Sequence, residues 1–256
     1  MILSGRVKRK GRRIEPELLP AFPCFFHPHT FISAMPETFL ITGTDTGVGK
    51  TYVTCQIVRA LRKAGVDAVG YKSVCCGERS DAELLVAASG NAEPIEALNP
   101  VWYQAPVTPA VAAELESKPV SLEAIRAHAE ALAKRHEVLL MEGVGGWEVP
   151  MTRKETFADL AEALGWPVLL VAANRLGALN HTLLTERAIR DRGLELFGVI
   201  LNHLTEDHHI AMTTNRRILD EFLTVPVYCL ENGDDFHGNI LVEEFRARQK
   251  GDSVMS

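Results

Sequence analysis

No stretch of this sequence approaches the ~20 consecutive apolar residues of a membrane-spanning helix, which argues against an α-helical membrane protein. Positive charge is not in surplus. The 27 Lys and Arg face 33 Asp and Glu, and the formal net charge of −6 gives no support for a general nucleic-acid binder. Cysteine is scarce and poorly arranged for cross-linking. The five (Cys24, Cys55, Cys75, Cys76, Cys229) are odd in number, include an adjacent pair and form no Cys-x-x-Cys; no secretory signal precedes them. That usage points to free thiols in a reducing cytoplasm. No internal repeat and no linker divides the chain.

What is present is an ordinary globular composition, 46% hydrophobic and 23% charged over 256 residues, enough for one large domain with a substantial core. Charge is uneven. Residues 1–34 hold Arg6, Lys8, Arg9, Lys10, Arg12 and Arg13 against Glu15 and Glu17, a net of +4, which leaves −10 for the rest. Prolines 20, 23 and 28 follow, without a helical period. We read 1–34 as a disordered leader or an upstream translation start, with a transit peptide or a nucleic-acid-docking tail as alternatives. The working domain then runs over 35–230, and the polar residues 231–256 form a tail.

From residue 38 short apolar runs alternate with longer amphipathic stretches. Strands are expected at 38–42, 67–74, 137–143, 167–173, 196–202 and 225–230. Helices are expected at 50–65, 80–89, 121–135, 156–165, 180–193 and 208–223, and the proline-rich 91–109 is expected to be mostly loop. Strands that are apolar throughout are buried on both faces, and their alternation with helices predicts an α/β fold: a mostly parallel sheet of about six to seven strands with helices on both faces. Ligands of such sheets lie beyond the carboxyl ends of the strands.

At the end of the first strand stands Gly43-Thr-Asp-Thr-Gly-Val-Gly-Lys-Thr51, with five residues between Gly43 and Gly49 where the common phosphate-binding loop has four. It follows a strand and opens a helix, the context in which such a loop binds phosphate. Gly47 and Gly49 permit the tight turn, Lys50 reaches the β- and γ-phosphates, and the Thr51 hydroxyl suits Mg²⁺. Glu142 ends another apolar strand, as a metal-side carboxylate or as a solvated strand-end residue. Lys72 ends the second strand, as a surface residue with a snorkelling side chain or as a charge aimed into the crevice. Asp81 opens a helix, where it would serve as an N-terminal cap acid. The glycine-rich 143–150 permits close backbone approach to a ligand. Asn180, His181 and Thr182 lie at a helix start, where an Asn cap and free N–H groups suit a carboxylate. His203, His208 and His209 lack a convincing metal spacing and read as a solvated helix start, and His27 and His29 fall in the leader.

Together these segments resemble the dethiobiotin synthetases of the P-loop superfamily. The loop Gly43–Thr51 has that family's extra residue. Glu142-Gly-Val-Gly-Gly-Trp147, ending in Pro150, is similar to its E-G-[AV]-G-G-W segment, and Leu176–Thr185 to its L-G-x-[IL]-N-H-[TA]-L-L-T segment. Gly198–Asn202 and residues 108–113 match two further pieces in the same order. The resemblance spans about 38–230. It implies an ATP-dependent enzyme of biotin synthesis that takes 7,8-diaminopelargonate and CO₂ or bicarbonate to dethiobiotin. It implies Lys50 and Lys72 in catalysis, Thr46, Gly47, Val48, Gly49, Lys50, Thr51 and Asn202 on ATP, and Thr51, Asp81 and Glu142 on Mg²⁺. Lys72, Cys76, Gly177, Ala178, Leu179 and Asn180 would meet the substrate, the last four from the neighbouring subunit of a homodimer. The chain departs from the family's K-P-x-x-[ST]-G: Ser73 replaces Pro and Cys76 takes the hydroxyl position. Its last strand delays the family's P-x-x-G glycine to Gly233. A nucleotide-switch ATPase of the partition type shares the fold, but its signature lysine five residues before the loop lysine is Asp45 here.

Overall fold

A computed structural model describes residues 38–204 and 210–231. The leader, Cys24, His27, His29, His208, His209, Gly233 and all of the tail after residue 231 lie outside the described residues. The element order is β1 (Thr38–Gly43), α1 (Lys50–Lys63), β2 (Ala68–Lys72), β3 (Val74–Cys76), α2 (Ser80–Ala88), α3 (Ile95–Leu98), β4 (Val101–Tyr103), α4 (Pro109–Leu115), α5 (Leu122–Ala133), β5 (Val138–Glu142), α6 (Phe157–Leu164), β6 (Val168–Ala173), α7 (Ala178–Asp191), β7 (Leu196–Asn202), α8 (Ile210–Phe222) and β8 (Val227–Leu230). Six strands form one parallel sheet in the order β2-β5-β1-β6-β7-β8, and β3 and β4 form a separate parallel pair.

The sheet is parallel because its strands are apolar on both sides. Every residue of β2, β5 and β6 is buried. Side chains alternate along a strand, so Leu40, Leu139, Met141 and Leu170 pack with α5 and α6, while Phe39, Ile41, Leu140 and Leu169 pack with α1 and α2. Full burial of each such side chain stabilises by about 1.5–3 kcal/mol. β1 lies between β5 and β6, so the loop after it opens at the middle of the carboxyl edge. No helix among the described residues is long and apolar enough to cross a membrane.

Two expectations are corrected. The strand expected over 67–74 breaks after Lys72. β5 ends at Glu142, opposite Lys72, so the next residues have no partner in the main sheet. Ser73 closes the ladder by donating its N–H and hydroxyl to the Glu142 carbonyl, both at 3.3 Å. Val74–Cys76 then pair with Val101–Tyr103. The expected loop 91–109 is partly ordered into elements, and its prolines start them: Pro94 precedes α3 and Pro109 is the first residue of α4, where a missing N–H costs nothing.

Candidate active site

The phosphate-binding loop is shaped by two left-handed glycines, Gly47 at φ 75° and Gly49 at φ 88°, the second forming the N-cap of α1. A Cβ on Gly49 would stand 2.1 Å from Asn202 Nδ2, so that position requires glycine for space as well as for conformation. Gly47 is exposed beside Val48, which is buried. Thr46 donates its N–H to Asp45 Oδ1 at 2.7 Å. Lys50, only 6% exposed, arches back to donate to the Asp45 carbonyl at 3.0 Å. Burial and then the nearby Lys72 charge lower the Lys50 pKa to about 8, against the pull of Glu142, Asp81 and Asp45.

Register explains the charges behind the loop. Lys72 and Glu142 are partners at the end of the β2–β5 ladder, and Ile41, just before the loop, pairs with Glu142 on the other side. Lys72 is not a surface residue with a snorkelling side chain, and Glu142 is not solvated: their side chains are 5% and 0% exposed. Lys72 Nζ donates to Glu142 Oε1 at 2.5 Å and to Asp81 Oδ2 at 2.7 Å. Thr51 donates to the same Glu142 Oε1 at 2.8 Å. Glu142 Oε2 is buried and has no partner among the described residues. Burial disfavours the Lys72 charge, but the two carboxylates outweigh it and raise its pKa. Burial likewise opposes ionisation of Asp81, yet Lys72 and Thr51 hold its carboxyl below the usual range. Asp81 is therefore the second residue of α2, aimed at Lys72 and not at its own helix as a cap.

A buried acceptor without a donor is costly unless something else fills its valence. Glu142 Oε2, with the Thr51 hydroxyl and the half-exposed Asp81 beside it, offers hard oxygen donors of the kind Mg²⁺ takes alongside phosphate oxygens. At the end of β7, Asn202 donates Nδ2 to the Val48 carbonyl at 3.0 Å, while its buried Oδ1 has no partner among the described residues.

A cavity of about 470 Å³ opens beside the loop, lined by Thr44, Asp45, Thr46, Gly145, Trp147 and Thr185 among others. Trp147 Nε1 is buried there without an acceptor among the described residues. α7 lines the cavity through Leu184, Thr185 and Ala188, while Gly177, Ala178, Leu179 and Asn180 are not among its lining residues. The cap of α7 is Gly177 at φ 90°, so Asn180 is the third helical residue and not the cap expected. Cys76 is half-buried, and burial pushes its thiol up to about 11, so it remains a neutral, weak donor. His203 follows β7 and meets Asn174 Nδ2 at 2.5 Å, which replaces the solvated helix start expected for it.

A family model described as an AAA domain matches residues 37–230. The ATP-dependent dethiobiotin synthetase BioD of Akkermansia muciniphila is 46% identical over 202 residues, 79% of this chain and 93% of that protein. The enzyme of the same name from Anaeromyxobacter dehalogenans is 54% identical over 166 residues, 63% of this chain and 74% of that protein. The chain belongs to the dethiobiotin synthetase family. Members of this family are ATP-dependent ligases, and so is this protein. Among solved structures, the septum site-determining protein MinD of Pyrococcus horikoshii OT3, complexed with Mg-ADP, is similar at a TM-score of 0.49 and 17% identity, over 84% of this chain and 86% of that one.

The family motifs map onto one end of the sheet. The loop at 43–51, the segment opening at Glu142 and the strand end at Asn202 meet around α1, through the Thr51–Glu142 and Asn202–Val48 bonds. The sequence reading did not single out Asn99, although its side chain donates to the Lys72 carbonyl. It stands before Pro100 in a segment without periodicity, and only the fold brings it to Lys72.

Proposed function

We propose that this synthetase carboxylates 7,8-diaminopelargonate with CO₂ and closes the ureido ring at the expense of ATP, giving dethiobiotin, ADP and phosphate. One observation carries the reading. Behind a Gly-Lys-Thr loop, Lys72 and Thr51 converge on one oxygen of a buried Glu142 whose other oxygen has no partner among the described residues. One substrate amine takes up CO₂ and loses a proton to form a carbamate. A carbamate oxygen attacks the γ-phosphorus, and the bond to ADP breaks. The second amine then attacks the carbamoyl carbon, phosphate leaves with the bonding pair, and the attacking nitrogen loses its proton. These steps need positioning and charge neutralisation more than covalent help from the protein.

In this reading Lys50 neutralises the transferring phosphoryl oxygens, and its burial makes that charge count more than it would in water. Lys72 neutralises the carbamate. The N–H groups of Thr46 to Thr51 cradle the phosphates, and Asn202 Oδ1 accepts from the adenine amino group. Thr51, Asp81 and Glu142 would hold Mg²⁺, which supplies charge neutralisation at the β- and γ-phosphates when bound. Cys76 lies near the substrate as a weak donor. The start of α7 at 177–180 receives the substrate carboxylate from the neighbouring subunit of a homodimer. The exposure of Leu176 (87%) and Leu184 (55%), on either side of that segment, supports its burial against a second copy. The test is phosphate release with Mg-ATP, bicarbonate and the diamine, each omitted in turn. Release that needs both co-substrates, with dethiobiotin detected by mass, is expected; hydrolysis indifferent to the diamine would overturn the proposal.

A further inference from the structure

We infer that Arg79 and Asn99 are positioning residues that lock Lys72 and Asp81 at their working separation. The inference rests on the reading of Lys72 as a residue that meets the reacting groups. Asn99 is 1% exposed and follows α3. Its Nδ2 donates to two carbonyls, those of Lys72 and Val101, each at 3.0 Å. Its Oδ1 accepts from Arg79 Nε at 2.9 Å, and its backbone carbonyl accepts from Arg79 Nη2 at 2.8 Å. With two carbonyls on one side and a guanidinium on the other, only one orientation of the amide satisfies every partner. Its own N–H donates to the Ile95 carbonyl at 2.7 Å, so Asn99 has no unused polar group.

The partners give this network its meaning. Lys72 is the last residue of β2, an edge strand whose ladder with β5 ends there. Its carbonyl accepts from Asn99, a bond that holds the end of the strand alongside the ladder to β5, the Ser73 bonds and the side-chain ion pairs. Arg79 caps α2, two residues before Asp81. The Arg79–Asn99 fork therefore ties the strand end that delivers the lysine to the helix start that delivers the aspartate. The guanidinium is itself held, 5.3 Å over the Trp102 ring and 3.4 Å from Glu96 Oε1. Trp102 in turn donates to the Gly77 carbonyl at 2.8 Å. The device spans β3, β4 and α3, the elements that depart from the main sheet just after Lys72. Neither residue is among those assigned to nucleotide or substrate, so a change in either acts on chemistry through Lys72 and Asp81.

The experiment compares Asn99→Ala and Arg79→Lys with the unaltered protein for kcat, for the KM of the diamine and for the Kd of ADP. A displaced reacting group costs about 10- to 100-fold in rate, and a loss of kcat in that range is expected for both variants. ADP affinity, set by the loop at 46–51, should stay within about twofold. Arg79→Lys keeps the charge over Trp102 and loses the fork to Asn99, so it carries the test if Asn99→Ala fails to fold. In a Lys72→Ala, Asp81→Ala background, where both positioned groups are gone, adding Asn99→Ala should change the residual rate by less than about twofold, because coupled positions are not additive. The same large loss in that background, or near-native kcat in both single variants while Lys72→Ala is inactive, overturns the positioning role. Undiminished diamine-dependent turnover in Lys72→Ala overturns the reading of the site on which it depends.

Discussion

β2 and β5 carry charged groups at both ends, and the two ends are built differently. At their amino ends, Asp67 and Glu137 belong to a satisfied polar cluster. His136 Nδ1 lies 2.8 Å from Asp67 Oδ2 and its Nε2 lies 3.1 Å from Glu93 Oε1. Arg62 donates to Asp67 at 3.0 Å, Arg135 lies 3.1 Å from Glu93, and the Asp67 N–H donates to Glu137 at 2.6 Å. Asp67 is 44% exposed, so water shares the load. At the carboxyl ends, Lys72 and Glu142 are buried, Lys72 serves two acids at once, and Glu142 Oε2 has no donor among the described residues. Charge that is paired and partly wet is a structural tie. Charge that is dry and left one partner short is the kind a ligand would complete, because its cost is tolerated best where something else shares it.

The sharpest way to break that contrast is at the carboxyl end. Lys50→Ala is expected to lower turnover by about 10³-fold or more, read as phosphate release, since it removes the buried charge proposed to meet the transferring group. Glu142→Ala should come next, with turnover lost or a steeply raised Mg²⁺ requirement. It should also lower stability by about 3 kcal/mol, because Lys72 is left buried with Asp81 alone. A double variant, Lys72→Met with Glu142→Leu, should be inactive yet melt within a few degrees of the unaltered protein, because removing a whole buried pair is often neutral. A large fall in Tm for the double variant would show that the pair serves the fold as much as the reaction.

A pH titration sharpens the same point. Lys50 is held at about 8 in the free protein, so above that pH its amine loses its proton. Bound phosphates favour the ammonium, so ADP affinity should be constant below pH 8 and fall by up to about tenfold per unit above it. Calorimetry at pH 8.5 in buffers of different ionisation enthalpy should register proton uptake on binding.

The smallest effects belong to the amino end. His136→Gln should cost about 1 kcal/mol of stability and leave kcat unchanged. Burial pulls the Asp67 pKa up, but His136 and Arg62 outweigh it and hold the carboxyl low. Its folded pKa lies below its unfolded value, so its contribution is present at neutral pH and disappears as pH falls through the folded pKa. The deficit of Asp67→Asn in Tm should accordingly be full at pH 7 and vanish in acid.

The six main strands were legible because buried parallel strands are apolar runs, and Gly43–Thr51 was legible because its chemistry is local. Lys72 and Glu142 lie 70 residues apart, and no local pattern states that they share a rung, so Lys72 read equally well as a surface residue. Asp81 read as a helix cap because its real partner comes from another strand. The β3–β4 pair was hidden by prolines that the reading took as breakers and that instead begin α3 and α4. Asn180 was read as a cap because the left-handed turn at Gly177 cannot be told from any other glycine in sequence.

The most direct test of the metal role proposed for Glu142 is a titration of the protein with Mn²⁺, a paramagnetic stand-in for Mg²⁺, in the presence of ADP, followed by electron paramagnetic resonance. The account predicts nucleotide-dependent Mn²⁺ binding that weakens at least about tenfold in Glu142→Gln and is unchanged in Glu137→Gln, at the far end of the same strand. Equal Mn²⁺ affinity in Glu142→Gln and the unaltered protein would contradict it, and the bare oxygen would then be a feature of the fold and not of the reaction.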